Sequence, residues 1–244
     1  MGRCIYLRKG EVHTPPVVGI KAGDLPIGQI VKLMEGGVET QFIVVNQGIP
    51  ENSSLYDASC NGTWLLRKDV KENRVWNGST NNTYATSRIN TWLNGEYFNN
   101  LGSIEQSVIK QVKIPYVNGT GSGGHIDSGA QGLNTKIFLA GNFELGWTKA
   151  DGSYHPADGA AFSYFLGTSQ TDTKRIAYFN NVATRWWTRS ANSNSTSTIW
   201  SVLDTGGPSS TNATSSAGVR PALIIPSTSI FDPTTYLLKN NPTP

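Results

Sequence analysis

Apolar residues in this chain come in short bursts separated by long polar stretches. Ile30-Val31-Lys32-Leu33, the Glu35-Gly36-Gly37 turn and Thr40 to Val45 predict a β-hairpin, because two apolar runs flank a glycine turn. Thr63 to Leu66 predicts another short strand. Ile89, Trp92 and Leu93 fall at i, i+3 and i+4, which predicts a helix over about 86–98. Ser103 followed by Gln106 reads as a capping box ahead of Ile104, Val108, Ile109 and Val112. That second helix must stop before Ile114-Pro115, since proline restricts the residue in front of it. Residues 118–132 read as a glycine-rich loop, and Ile137-Phe138-Leu139 as a strand or a helix start. Further short strands are expected near 176–179, 185–189, 198–203 and 218–225.

Two short helices, many short strands and long loops predict an α+β fold, not βαβ alternation. No internal repeat is visible at any fixed period. Pro15-Pro16 and the run from Gly19 to Pro26 break periodicity. Residues 1–25 therefore read as an N-terminal arm with at most one strand, Cys4 to Leu7. The compact domain is expected over 26–226. Residues 227–244, with three prolines from Phe231 onward, read as a tail.

Charged residues make up 15% of the 244-residue chain, against roughly 25% in an average soluble domain. Gly, Asn, Ser and Thr take their place. The hydrophobic 37% includes 7 Trp, 9 Tyr and 8 Phe, enough to bury a substantial core. A net charge of +3 without any basic block gives no electrostatic case for nucleic acid. Apolar runs such as Phe42-Ile43-Val44-Val45 are too short for membrane insertion. Met1-Gly2-Arg3-Cys4-Ile5-Tyr6 reads as neither a signal peptide nor a myristoylation site. Cys4 and Cys60 make no disulfide framework. Either they pair or, as a reducing cytoplasm would keep them, both stay free, with Cys60 half-buried beside Trp64.

Chemistry-bearing motifs are weak. Gly119-Thr120-Gly121-Ser122-Gly123-Gly124 has the dinucleotide-binding spacing, but it runs into His125-Ile126-Asp127 and not into the helix that the motif requires. It reads as a surface loop. His13, His125 and His155 show no metal spacing. Asp57, Asp69, Glu144, Asp151, Asp158 and Asp172 are dispersed, so no carboxylate pair for glycan hydrolysis can be read. Neither a nucleophile elbow nor a Cys/His signature is present. The expectation is a protein without catalytic residues, cofactor or metal.

The informative stretch is 185–225. It opens with Arg185-Trp186-Trp187-Thr188-Arg189-Ser190 and closes with Gly218-Val219-Arg220-Pro221-Ala222-Leu223-Ile224-Ile225, both suited to buried strands. Of the 27 residues from Ser190 to Ser216, 17 are Asn, Ser or Thr. Such an insert supplies little core and must be displayed by the framework around it. Trp200 and Val202 alternate with Ser201 and Leu203, as in a half-buried strand. Short polar side chains with an occasional aromatic suit an adaptable binding surface. A solvated hairpin that binds nothing is the plain alternative.

Trp186-Trp187-x-Arg189-Ser190, the polar insert and Gly218-Val219-Arg220-Pro221-Ala222-Leu223 together resemble a domain of unknown function common in prophages and gut bacteria of the low-GC Gram-positive group. That domain is similar to the C-type lectin fold, in the branch that includes formylglycine-generating enzyme. Arg88-Ile89-x-x-Trp92-Leu93-Asn94, followed by Phe98, matches the same domain's helix. The resemblance covers about 26–226; Thr188 stands where it expects Leu, and Ala191 where it expects Pro.

The resemblance implies a C-type lectin-like fold and kinship with variable proteins of diversity-generating retroelements, which randomise adenines in a C-terminal coding segment. The variable, ligand-binding positions would be Thr188, Asn192, Asn194, Thr196, Thr198, Ser201, Leu203, Thr205, Ser209 and Thr211. It implies a phage or prophage virion protein, at a tail fibre tip or on the particle surface, receptor-binding toward a bacterial surface protein or glycan. The arm would dock it to other virion proteins or to its own copies, as a homo-oligomer. A decoration or assembly protein and a cell-wall glycan hydrolase are the alternatives. Calcium-dependent sugar binding is not implied, because Pro50-Glu51-Asn52 and Trp76-Asn77-Gly78 depart from the calcium motifs and no carboxylates cluster. Neither is copper-dependent oxidase chemistry, because Cys4 and Cys60 precede the region that would carry it.

Overall fold

The computed structural model describes residues 19–148 and 154–239. The fold is mixed, with few helices and many short, mostly antiparallel strands, as in an α+β or a mostly-β protein. The predicted hairpin pairs Ile30–Glu35 with Val38–Gln47. Gly36 and Gly37 form its two-residue turn at φ 60° and 79°, left-handed values that side chains disfavour. This hairpin extends into a five-stranded antiparallel sheet through Thr63–Arg67, then Pro221–Ile225, then Ile137–Leu139.

Both faces of this sheet are covered. Phe42, Val44, Leu65 and Leu223 point into one core, with Ile89, Trp92, Leu93 and Tyr97 of the helical segment. Ile43, Trp64, Leu66 and Ile224 point into the other, with Phe138, Phe162 and Phe165. Double burial explains why the central strands read as apolar runs without alternation.

The first helix runs Arg88–Trp92 and continues through a wider turn at Leu93–Tyr97. Ser87 caps it by accepting the Asn90 N–H at 3.2 Å. The second helix spans Ser103–Val108, and its capping box does not form. Gly102 occupies the N-cap, and Glu105 turns inward to take the Met34 N–H at 2.8 Å. Gln106 bonds instead to the Leu101 carbonyl at 2.7 Å.

Several expectations need correction. Residues 118–132 are no open loop: Tyr116–Asn118 pairs with His125–Asp127, and Val112–Ile114 with Leu133–Thr135. The arm and tail boundaries also move. Ile20–Lys21 pairs with Ile230–Phe231, which pairs with Leu238–Lys239. Ala22, Leu25, Phe231 and Leu238 sink into the core, so those stretches belong to the domain. The strand expected at Cys4 to Leu7 lies outside the described residues, as does Cys4 itself. Cys60 is fully buried, not half-buried, and free. Its Sγ donates to the Lys113 carbonyl at 3.1 Å, and burial pushes the thiol up to about 12.

Candidate functional site

The polar insert folds into a second five-stranded sheet, in the order Pro208–Asn212, Thr198–Val202, Trp186–Ala191, Ser216–Gly218, Asn73–Val75. Trp186 and Trp187 are adjacent, so they face opposite sides, and both are fully buried. Trp186 donates Nε1–H to the Arg175 carbonyl and Trp187 to that of Arg74, both at 2.9 Å. The polar strands therefore hang on a central strand nailed into both cores.

Between Trp187 and Ala191 the register slips. This bulge frees three residues from the ladder, and each turns to another task. Thr188 donates its hydroxyl to the Trp200 carbonyl at 2.8 Å. Arg189 enters the interior and grips Glu144 with two parallel bonds, Nη1 to Oε2 at 2.5 Å and Nη2 to Oε1 at 2.7 Å. It also donates to the carbonyls of Pro115, Leu139 and Asp158. Ser190 donates to the Asp158 carboxyl, 2.8 Å away, and accepts the Asn142 N–H at 2.8 Å.

The rest of this buried knot is also well bonded. The Tyr56 hydroxyl donates to Glu144 Oε1 at 2.8 Å while accepting the Ala160 N–H at 2.9 Å. Burial, then the Glu144 charge, raises the Tyr56 phenol well above its ordinary value. Burial works against the Arg189 charge, but the field of Glu144 and its bonds overcome it, and the guanidinium's pKa rises. Asp158 lacks so close a cation partner. Burial pushes it up from 3.8 to about 6, against the lowering pull of Arg189. Gly141 lets the backbone approach, since a Cβ there would sit 2.9 Å from Asp158 Oδ1 and 3.0 Å from Arg189 Nη2.

Asp158 sets a pH dependence. A folded pKa above the unfolded one means that protonation favours the folded state. That stability is complete below about pH 4 and disappears as pH rises through about 6, a change on the order of 3 kcal/mol. Urea unfolding of the wild type and Asp158→Asn between pH 4 and 7 checks this. The difference between the two should fall across that interval; a flat difference would refute it.

Glu144 and Asp158, read as dispersed in the sequence, thus meet at Arg189. Both are fully buried and already bonded, so they line no cleft of the kind a hydrolase needs. His155 lies above them, stacked on Trp200 at 3.8 Å between ring centroids. Its Nδ1 is 2.5 Å from Asn142 Nδ2. Trp200 is only half-buried and covers the knot from outside. His125 is exposed and pairs with Asp127 at 3.2 Å. Among the described residues no metal-binding cluster occurs.

Three predicted display residues are not displayed. Thr188 and Ser201 are fully buried, and Asn192 nearly so. Thr188 anchors the bulge. Ser201 faces Trp187 and Ser209 across the sheet, and Asn192 closes its own loop by accepting the Asn194 N–H at 2.9 Å. Asn194, Thr196 and Thr205 are exposed; Thr198, Leu203, Ser209 and Thr211 are half-buried. These seven do not form one patch. Thr205 and Leu203 sit at one end of the Thr198–Val202 strand, and Asn194 and Thr196 at the other, about 14 Å apart for five residues.

At the end carrying Asn194 and Thr196 the insert meets other loops. Asn82 donates Nδ2–H to the carbonyls of Ser195 and Thr198, at 2.8 and 3.0 Å. Thr83 donates to the Gly119 carbonyl at 3.2 Å, and Asn77 N–H to that of Ala213 at 2.9 Å. A Cβ on Gly121 would lie 3.1 Å from Thr196. Four loops, 77–83, 118–124, 193–197 and 213–215, therefore meet here, exposing the uncharged Ser79, Thr80, Asn81, Ser122, Asn194, Thr196 and Thr214, with the Arg88 guanidinium against Gly78 at the border. Sequence reading left 118–132 as a surface loop without bringing it to the site, and it missed the 77–83 turn, where Asn77, Asn81 and Asn82 were the available signal.

Residues 61–227, more than half of the chain, match the family model described as Domain of unknown function (DUF6273). The matched stretch contains the helix and both end motifs but begins after the Ile30–Gln47 hairpin. No curated protein and no solved structure matches the chain. On the extent of that match, the chain belongs to the DUF6273 family.

Proposed function

We propose that this is a ligand-binding protein of a phage or prophage virion, with a C-type lectin-like fold, that meets a bacterial surface protein or glycan through its four-loop end-face. The observation that carries the reading is the convergence of uncharged amide and hydroxyl side chains on one rigidly tethered end of the second sheet. Amides and hydroxyls both donate and accept, so they suit hydroxyl-rich glycans or polar protein surfaces. The motif resemblance supports the virion setting and diversification by a retroelement. In this reading the variable positions that reach the ligand are Asn194, Thr196, Thr198 and Thr211, whereas Leu203, Thr205 and Ser209 lie toward the opposite end of the sheet.

Two measurements test it. Across a population of the same phage or host strain, codon changes should fall on those accessible positions and spare Thr188, Asn192 and Ser201; an invariant insert would remove diversification. Labelled full-length protein should bind host envelope fractions. Asn194→Ala with Thr196→Ala should weaken that binding about tenfold or more while stability moves by no more than about 0.5 kcal/mol. Equal binding by this double variant would sink the end-face assignment.

A further inference from the structure

A concave site lies away from the loop end-face, where Arg220 leaves the second sheet for the first. A pocket of about 440 Å³ opens there, its lining including Lys68, Asp69, Tyr164, Lys174, Tyr178 and Arg220. Arg220 is only 1% exposed. Its Nε donates to the Arg67 carbonyl at 2.7 Å, and its guanidinium sits 4.9 Å from the Trp186 ring. Nη1 has no hydrogen-bond partner.

Arg189 has Glu144 and Arg67 has Glu35. Among the described residues, no carboxylate reaches Arg220 within 4.0 Å. Burial lowers its guanidinium to about 10, opposed by the field of Asp69, so it stays charged at neutral pH. A buried cation without a counter-ion is costly, and an entering anion removes that cost.

The surroundings add charge of the same sign. Lys174 Nζ bonds to the Tyr164 carbonyl at 3.2 Å and lies over the Tyr164 ring. Lys68 Nζ bonds to Gln41 Oε1 at 2.9 Å. Each ammonium has donors to spare. Asp69, the carboxylate of the lining, holds the Tyr178 N–H at 3.1 Å. Three cations against one carboxylate leave a surplus of two positive charges.

We propose that this pocket binds a phosphate ester on a sugar- or polyol-sized body, with Arg220 in its inner wall and Lys68 and Lys174 at its mouth. A phosphate monoester dianion matches the surplus, whereas a carboxylate neutralises half of it. The volume exceeds what phosphate alone would fill, and Tyr164 and Tyr178 offer ring faces to the remainder.

Calorimetry on the full chain at pH 8, where phosphate esters are dianions, tests the assignment. Glycerol 3-phosphate is the probe, with inorganic phosphate, acetate and glycerol beside it. Saturable binding of glycerol 3-phosphate, weaker binding of inorganic phosphate and none of acetate or glycerol is the expected pattern. Lys68→Ala and Lys174→Ala should each weaken it about three- to tenfold, and Asn194→Ala should leave it unchanged. Both lysines are exposed, so these variants remain informative if Arg220→Lys fails to fold. Absence of saturable heat with glycerol 3-phosphate, equal binding of acetate, or indifference to both lysine variants would overturn the proposal.

Discussion

Replacing Arg189 with Met is expected to remove about 3–5 kcal/mol of unfolding free energy. The loss comes from what stays behind. Glu144 would keep its buried carboxylate with only the Tyr56 hydroxyl and the Gly141 N–H as donors, and three carbonyls would lose a donor. A charge left without its partner costs the desolvation that the pair had offset. Arg189→Lys should fail nearly as badly, because an ammonium cannot reproduce the two parallel bonds. Adding Glu144→Gln to Arg189→Met should recover part of the loss, giving a favourable coupling energy in a double-mutant cycle. Urea denaturation of these three variants and of Glu144→Gln alone, which completes the cycle, measures it. A loss under about 1 kcal/mol for Arg189→Met would show that the pair does not hold the insert to the core.

How much of this was legible depended on distance along the chain. The Ile30–Gln47 hairpin was readable because its two apolar runs and the Gly36-Gly37 turn between them are local signals. The helix at Arg88–Tyr97 was readable because Ile89, Trp92 and Leu93 mark one face. The pairing of residues 20–21 with 230–231 was not, because two-residue strands carry no period. Ile20, Phe231 and Leu238 look like isolated apolar residues in loops until the ends meet. The hairpins inside 112–135 were hidden for the same reason: three-residue strands among glycines give no pattern.

At the candidate site, the polar insert announced itself by composition, but composition does not say which side chains face out. Alternation from a buried Trp187 places Thr188 outside, yet Trp186 beside it is buried too. Two adjacent buried tryptophans mean that both faces of that strand are covered, which the sequence could have told. Arg189 carried another overlooked hint, since a charge in a strand of buried bulk requires a counter-ion. Naming it was out of reach: Glu144 lies 45 residues away, one of 17 acidic residues in the chain, with no distinguishing neighbour. The four-loop end-face was invisible because it is made by Asn82 bonding across 113 residues to Ser195.

Trp187→Ala is expected to cost about 3–5 kcal/mol, and this sets the scale for the whole insert. The indole is fully buried among Ile199, Ala217 and Val219 on the core side of the second sheet. Its removal leaves a cavity and strips the Arg74 carbonyl of a donor. Asn194→Ala and Thr196→Ala, at the exposed end of the same sheet, should move stability by no more than about 0.5 kcal/mol. Trp200→Ala belongs between them: its ring is half-exposed, and it loses the stack on His155 with part of its own burial. Chemical denaturation of the four variants gives the order directly. If Asn194→Ala costs as much as Trp187→Ala, the insert is framework throughout and no face of it is free for a ligand. If the order holds, substitutions at the end-face are nearly free energetically, which is the condition a diversified binding surface has to meet.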